Sequence, residues 1–97
     1  MHDNTKDIDI IRQYGSGRIK VDICVGKAVF IELKKDLLST SKLSNLLGQI
    51  YLYSLENFNN LIIILTGRID HNLVNPIKKI LEDNFSNIDK HWAIVKK

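Results

Sequence analysis

This chain is poor in the residues that staple or punctuate a fold: among its 97 residues it has one cysteine, Cys24, and one proline, Pro76. A single thiol excludes an internal disulfide and fits a reducing compartment, so the expected location is cytoplasmic. Long apolar runs are missing too. The longest, Leu61 to Leu65, is far short of the roughly 20 residues a helix needs to cross a bilayer, so no membrane partner is expected. The opening "MHDNTKDID" lacks the charged and apolar blocks of a secretory signal. Neither sign of charge dominates: 14 Lys and Arg against 11 Asp and Glu leave a net +3. That balance is compatible with an anionic partner such as nucleic acid and is a weak signal by itself. No internal repeat, low-complexity block or linker interrupts the chain. One domain over 1–97 is expected, with residues 1–7 a weakly ordered tail.

What is present is alternation. "RIKVDICV" (18–25) sets Ile19, Val21, Ile23 and Val25 against Arg18, Lys20, Asp22 and Cys24, the period of a half-buried strand. "KAVFIELKK" (27–35) follows Gly26, so the two runs predict a hairpin. "IDIIRQYGSG" (8–17) has strand character and ends in a turn. Ser39, Thr40 and Ser41 are candidate N-caps for a helix from about Ser41 to Asn57, with Leu43, Leu46, Leu47, Ile50 and Ser54 on one face. "NLIIILTG" (60–67) reads as a strand buried on both faces. Residues 70–85 read as a second helix, with Leu73, Ile77, Ile80 and Leu81 apolar and Pro76 in the first turn. "HWAIVKK" (91–97) reads as a short basic edge strand. The expected order is β-β-β-α-β-α-β, an α/β fold with a mixed central sheet flanked by helices.

Glu32 and Lys34 share a strand face because side chains alternate. If Val21, Ile23, Val25, Val29, Ile31 and Leu33 form the core face, then Lys20, Asp22, Cys24, Ala28, Phe30, Glu32 and Lys34 form the other. Asp22 should then oppose Phe30, through an odd-numbered loop or a bulge near Asp22. Two converging carboxylates repel unless a cation sits between them. A hard divalent ion, Mg²⁺ or Mn²⁺, suits such oxygen donors. Lys34 could then orient a water or stabilise charge on a phosphate.

At these positions the sequence resembles the PD-(D/E)XK nuclease superfamily, with Asp22 followed by Glu32-Leu33-Lys34 on the next strand and Val21 where the family name has proline. Gln49-Ile50-Tyr51-Leu52-Tyr53 supplies a Gln-x-x-x-Tyr on the following helix, as in the RecB-like and archaeal Holliday-junction-resolvase-like branch. The "GSGR" before the Asp-bearing strand adds to the likeness, which spans roughly residues 8 to 95. The resemblance implies a restriction-endonuclease-like fold and metal-dependent hydrolysis of phosphodiester bonds in DNA. It implies Asp22, Glu32 and the Leu33 carbonyl as ligands of Mg²⁺ or Mn²⁺, and Lys34 as the group that positions the attacking water. It casts Gln49 and Tyr53 as catalytic-site residues that orient groups there or touch the nucleic acid backbone. Arg18, Lys20, Lys35 and Lys42 are the candidate phosphate contacts. The family's N-terminal helix is missing from the element order, and Asp3, Asp7 and Asp9 cannot be assigned to its acidic position. Its absence points to a homodimer or a larger protein partner, or to a catalytically weak or inactive module that binds nucleic acid or protein.

Each residue also has a plainer role. Glu32 and Lys34 taken alone would be a surface ion pair, and Gln49 a polar residue at a helix boundary. Tyr51 and Tyr53 would be packing residues with a wet hydroxyl, and Cys24 a small apolar filler. His2, His71 and His91 show no ligand spacing. Lys78-Lys79 and Lys96-Lys97 read as solvated faces or ends, and Trp92 as a packing or interface residue.

Overall fold

A computed structural model describes residues 9–16, 19–26, 28–56, 58–87 and 89–97. They form β1 (Ile10–Ser16), β2 (Ile19–Val25), β3 (Val29–Leu37), α1 (Thr40–Leu55), β4 (Asn60–Ile69), α2 (Val74–Asn84) and β5 (His91–Lys96), with a 3-10 turn at His71–Leu73 leading into α2. This is the expected order of elements. The five strands make one mixed sheet in the order β1-β2-β3-β4-β5. The first three are an antiparallel meander, and β3, β4 and β5 run parallel. No helix among the described residues is long and apolar enough to cross a membrane.

Local chemistry explains where the helices begin. Ser39 caps α1, its Oγ accepting from the Lys42 N–H at 3.2 Å. Leu43, Leu46, Ile50 and Tyr53 follow at helical spacing and are the buried residues of α1. Tyr53 therefore takes the place on this face that Ser54 was expected to hold. Asp70 caps the turn before α2, its Oδ1 accepting from the Asn72 N–H at 3.0 Å. Pro76 sits in the first turn of α2, as expected.

Both parallel connections cross the sheet in the same direction, so right-handed crossovers place α1 and α2 on one face, and the two helices pack against each other. That face decides the core, and it reverses the expected assignment. The residues facing the helices on β3 are Phe30, Glu32 and Lys34, with Phe30 and Glu32 buried. Ile23, Val25, Val29 and Ile31 are only half-buried and Leu33 is exposed, so this set forms the open face rather than the core face. Val21 is the exception, fully buried beside Cys24. Strand β4 alternates as well: Leu61, Ile63 and Leu65 are buried while Ile62 and Ile64 are half-buried, so it is covered on one side and not on both.

From Phe30 to Lys35 the register between β3 and β4 is regular, and it continues without a shift from β4 to β5. Cys24, not Asp22, opposes Phe30. Strand β2 ends at Val25 and β3 starts at Val29, so the connection has an odd length, as the polarity pattern requires. Rows then run straight across: Phe30–Leu61–Trp92, Glu32–Ile63–Ile94 and Lys34–Leu65–Lys96. An aromatic cluster backs the first row. The Phe30 and Phe58 rings stack with centroids 4.3 Å apart, and Tyr53 and Tyr14 meet Phe58 at 5.4 and 6.3 Å.

Beyond Lys35 the β3–β4 ladder shifts by one residue. Asp36 takes a left-handed φ of 54° there, and its Oδ1 accepts from the Arg68 N–H at 2.8 Å. That hydrogen bond, before any nearby charge, holds the Asp36 carboxyl below its ordinary pKa. Gly67 has φ 73°, and a Cβ on it would overlap the Asp36 carboxylate. The two residues thus lock the bulge together. Gly67→Ala is expected to cost on the order of 2 kcal/mol. Asp36→Gly removes the overlap, so the double substitution should be less destabilised than the two single losses summed. Urea denaturation of the four proteins measures this, and strict additivity would overturn the lock.

Candidate functional site

The candidate site lies where β1, β2 and β3 lose their regularity. The β1–β2 ladder pairs Arg12 with Ile23 and Tyr14 with Val21 but skips the position of Gln13 and Asp22. Gln13 has a left-handed φ of 53°. The facing pattern changes there: Ile11 and Cys24 lie against the core on one side of the break, and Tyr14 and Val21 on the other. The register is the same on both sides of the break, so one residue on each strand goes unpaired and the break is not the bulge expected near Asp22 as the alternative to an odd loop. On the other flank, the ladder between β2 and β3 covers Ile23 to Val25 and goes no further. Asp22 fills the gap with its side chain, Oδ2 accepting from the Leu33 N–H at 2.7 Å.

Glu32 is the buried member of the site, at 3% exposure and the one charged side chain among the described buried residues. Burial pushes its pKa up to about 7, and the neighbouring Asp22 carboxylate pushes in the same direction. The Tyr53 hydroxyl, the Lys34 ammonium and the Asp22 backbone oppose that rise. Tyr53 reaches Glu32 from α1, its hydroxyl 2.8 Å from Oε1, and lies 2.7 Å from the Lys20 carbonyl oxygen. Desolvation, then the Glu32 charge, holds the phenol well above its ordinary pKa, so Tyr53 is a neutral donor.

The remaining expected residues fall into three groups. Lys34 lies two residues beyond Glu32 on the same face, half-buried. Gln49 lies one turn before Tyr53 on α1, and its Oε1 is buried without a hydrogen-bond partner among the described residues. Such an orphan acceptor costs stability unless something occupies it. Lys20 and Lys35 are exposed. Lys42 is exposed too, but its Nζ donates to the carbonyls of Lys35 and Asp36 at 3.3 and 3.2 Å, so it ties the end of β3 to α1. Arg18 lies outside the described residues.

The sequence reading missed three contributors. Phe58 builds the ring wall around Tyr53 and Phe30, and no motif marks it. The Lys20 carbonyl accepts from Tyr53, which depends on backbone position alone. Arg12 and Gln13 line an open cleft of about 660 Å³ with Asp22, Ile23 and Leu33, on the side of the sheet that the helices leave free. Asp22 and Glu32 are thus neighbours with different surroundings, one opening to solvent and the other buried.

The expected ligands, two carboxylates and the Leu33 carbonyl, are all oxygen, the donor type a hard divalent cation takes, but Asp22 lines the open cleft whereas Glu32 is buried on the helix side. Among the described residues no group of three His, Cys, Asp or Glu side chains is placed to hold a metal. An ion here would rely on water or phosphate oxygens for most of its coordination, which is normal for Mg²⁺.

Glu32 gives the site a pH signature in the metal-free protein. Its native pKa, about 7, exceeds the ordinary value of 4.5, so the native state holds the proton more tightly. The contribution to stability is full below 4.5 and is lost as pH rises to about 7. The expected loss is on the order of 3 kcal/mol. Glu32→Gln should abolish this slope and be the more stable protein at pH 8. Urea midpoints from pH 4.5 to 8 in EDTA test it, and parallel profiles for both proteins would refute it.

Comparison with protein-family models, curated proteins and solved structures gives no match for this chain.

Proposed function

We propose that this chain is a metal-dependent nuclease of the PD-(D/E)XK type, with a restriction-endonuclease-like fold, hydrolysing phosphodiester bonds in DNA. The observation that carries the reading is the buried Glu32 carboxyl, flanked by Asp22 from β2 and hydrogen-bonded to Tyr53 from α1. A purely structural sheet gains nothing from a carboxylate there, because burial disfavours its charge. A site that must collect a cation has a use for it. The mixed five-stranded sheet, an antiparallel meander followed by parallel β-α-β units, is compatible with such a fold.

Asp22, Glu32 and the Leu33 carbonyl would hold Mg²⁺ or Mn²⁺. The ion would supply Lewis acidity and a counter-charge for the phosphate. Asp22 and Glu32 repel each other in its absence, so binding the ion would relieve strain that the fold otherwise carries. Tyr53 keeps the Glu32 carboxyl in one orientation. Lys34 holds the attacking water or offsets charge developing on the phosphate. Gln49 offers its unpartnered oxygen to a water or a substrate donor. Lys20 and Lys35 lie exposed on the strands that carry Asp22 and Glu32, where they would meet the flanking phosphates.

A second reading is a nuclease-like module that binds nucleic acid or protein without cleaving. Two features favour it: Asp22 Oδ2 already accepts from Leu33, and no third acidic ligand joins the pair among the described residues.

Incubation with Mg²⁺ or Mn²⁺ on single-stranded, duplex and branched DNA separates the two readings. Cleavage that falls at least about a hundredfold in Glu32→Gln, with circular dichroism unchanged, is expected for the nuclease. Absence of cleavage with every metal and substrate supports the binding module. Removing Lys20 and Lys35 together should weaken duplex binding and lower the slope of log K against log salt by about 1.8. An unchanged slope would remove these lysines from the interface.

A further inference from the structure

A second cavity, of about 470 Å³, opens between β5 and the start of α2. Its size is that of a small-molecule or nucleotide site. From β5 it takes Trp92, Ile94 and Lys96, three alternate residues on the face covered by the helices. From the other wall it takes His71, Asn75 and Lys78, whose spacing of four and three puts them on one side of the helical segment. Two lysines, a histidine, a tryptophan and two asparagines therefore line one cavity. No carboxylate lines the cavity among the described residues. Trp92 is half-buried and packed against the core, so the ring is held in place before any ligand arrives.

These groups match the parts of one chemical class. A phosphate needs cations, and a heterocyclic base needs a rigid aromatic surface with amide groups for its polar edge. A purely apolar ligand would have no use for Lys78 and Lys96, and a bare anion none for Trp92. We infer that this cavity binds a nucleotide unit of a single strand, the base against Trp92 and the phosphate at Lys78 and Lys96.

The strand register connects this cavity to the candidate cleavage site. Lys96 lies in the same row as Lys34, with Leu65 between them, so their backbones are two strand spacings apart, about 10 Å. A strand held at Trp92 would lie within reach of Lys34 and Glu32. That connection rests on the nuclease reading; the cavity's own chemistry does not.

Trp92 is the single tryptophan of the chain, which makes the test direct. The whole protein is titrated with oligo(dT) in EDTA, so that cleavage plays no part, and Trp92 emission is followed. Saturable quenching is expected. Labelled oligo(dT) anisotropy should show binding about tenfold weaker in Trp92→Ala. Lys78→Ala with Lys96→Ala should lower the slope of log K against log salt by about 1.4. Circular dichroism checks that both variants fold. If Trp92→Ala does not fold, quenching of the wild type together with the lysine variant still decides the matter. Free thymidine monophosphate and inorganic phosphate serve as further probes. Quenching by oligo(dT) at much lower concentration than by the mononucleotide supports a strand site; equal potency makes it a free-nucleotide site and overturns the strand assignment. Protection of the lysines by phosphate with no change in emission, or oligo(dT) binding that leaves Trp92 silent, overturns the cavity altogether. Metal-dependent cleavage with a silent Trp92 defeats this inference alone, while quenching without cleavage defeats only the nuclease reading.

Discussion

The contact on which the centre of the molecule depends is the Tyr53 hydroxyl between Glu32 and the Lys20 carbonyl. It joins β2, β3 and α1 at one oxygen. A phenol has a single proton, and here two acceptors lie within bonding distance of it. When Glu32 is protonated, its own proton can go to the tyrosine, the tyrosine's proton to Lys20, and every group is satisfied. When Glu32 is ionised, both acceptors compete for one proton and one of them goes without. A neutral carboxyl, or a cation that replaces the missing proton, satisfies both acceptors at once, and it is burial rather than the tyrosine that favours the neutral form. Burial of the carboxyl sharpens that choice, since charge is costly where water is excluded.

The order of elements was legible because each one has its own period. Val21, Ile23 and Val25 alternate; Leu43, Leu46 and Ile50 recur at helical spacing; Ser39 and Pro76 mark helix starts. What could not be read was which side of the sheet the helices cover. Alternation divides β3 into Val29, Ile31, Leu33 and Phe30, Glu32, Lys34, and by hydropathy the first set looks like the core. The choice is made elsewhere, by the handedness of two crossovers and by the bulk of Phe30 packing on Phe58. Periodicity is a local property, whereas crossover handedness belongs to the chain path. The Gln49–Tyr53 pair was legible as a motif, but its physical content was not. That Tyr53 would be fully buried and bonded to Glu32, while Tyr51 stays half exposed, follows only once the helix is docked.

The break at Gln13 and Asp22 serves the same centre. A regular ladder would spend the Leu33 N–H on a backbone carbonyl of β2. Here the ladder stops, the Asp22 carboxylate takes that N–H, and the strands part enough for Arg12, Gln13 and Leu33 to border a cleft. The phase of β2 changes across the break, so Val21 and Cys24 both reach the core although they are three residues apart. Sheets commonly re-aim side chains through such irregularities near functional positions. The Asp36–Gly67 lock does the corresponding task at the far end of β3, where the chain must leave the sheet and enter α1.

The odd connection between Val25 and Val29 has one more consequence, for which register the chain adopts. Side chains in a strand change faces with every single-residue slip. A slip of β3 by one position would turn Val29, Ile31 and Leu33 toward the helices and release Glu32 and Lys34 to water. Judged by oil and water alone, that competitor is the better partitioned of the two. The native pairing prevails through turn length, the Phe30–Phe58 stack and the Tyr53 contact. Strand β3 is thus locally frustrated: its hydropathy favours one register and its packing in the folded protein another.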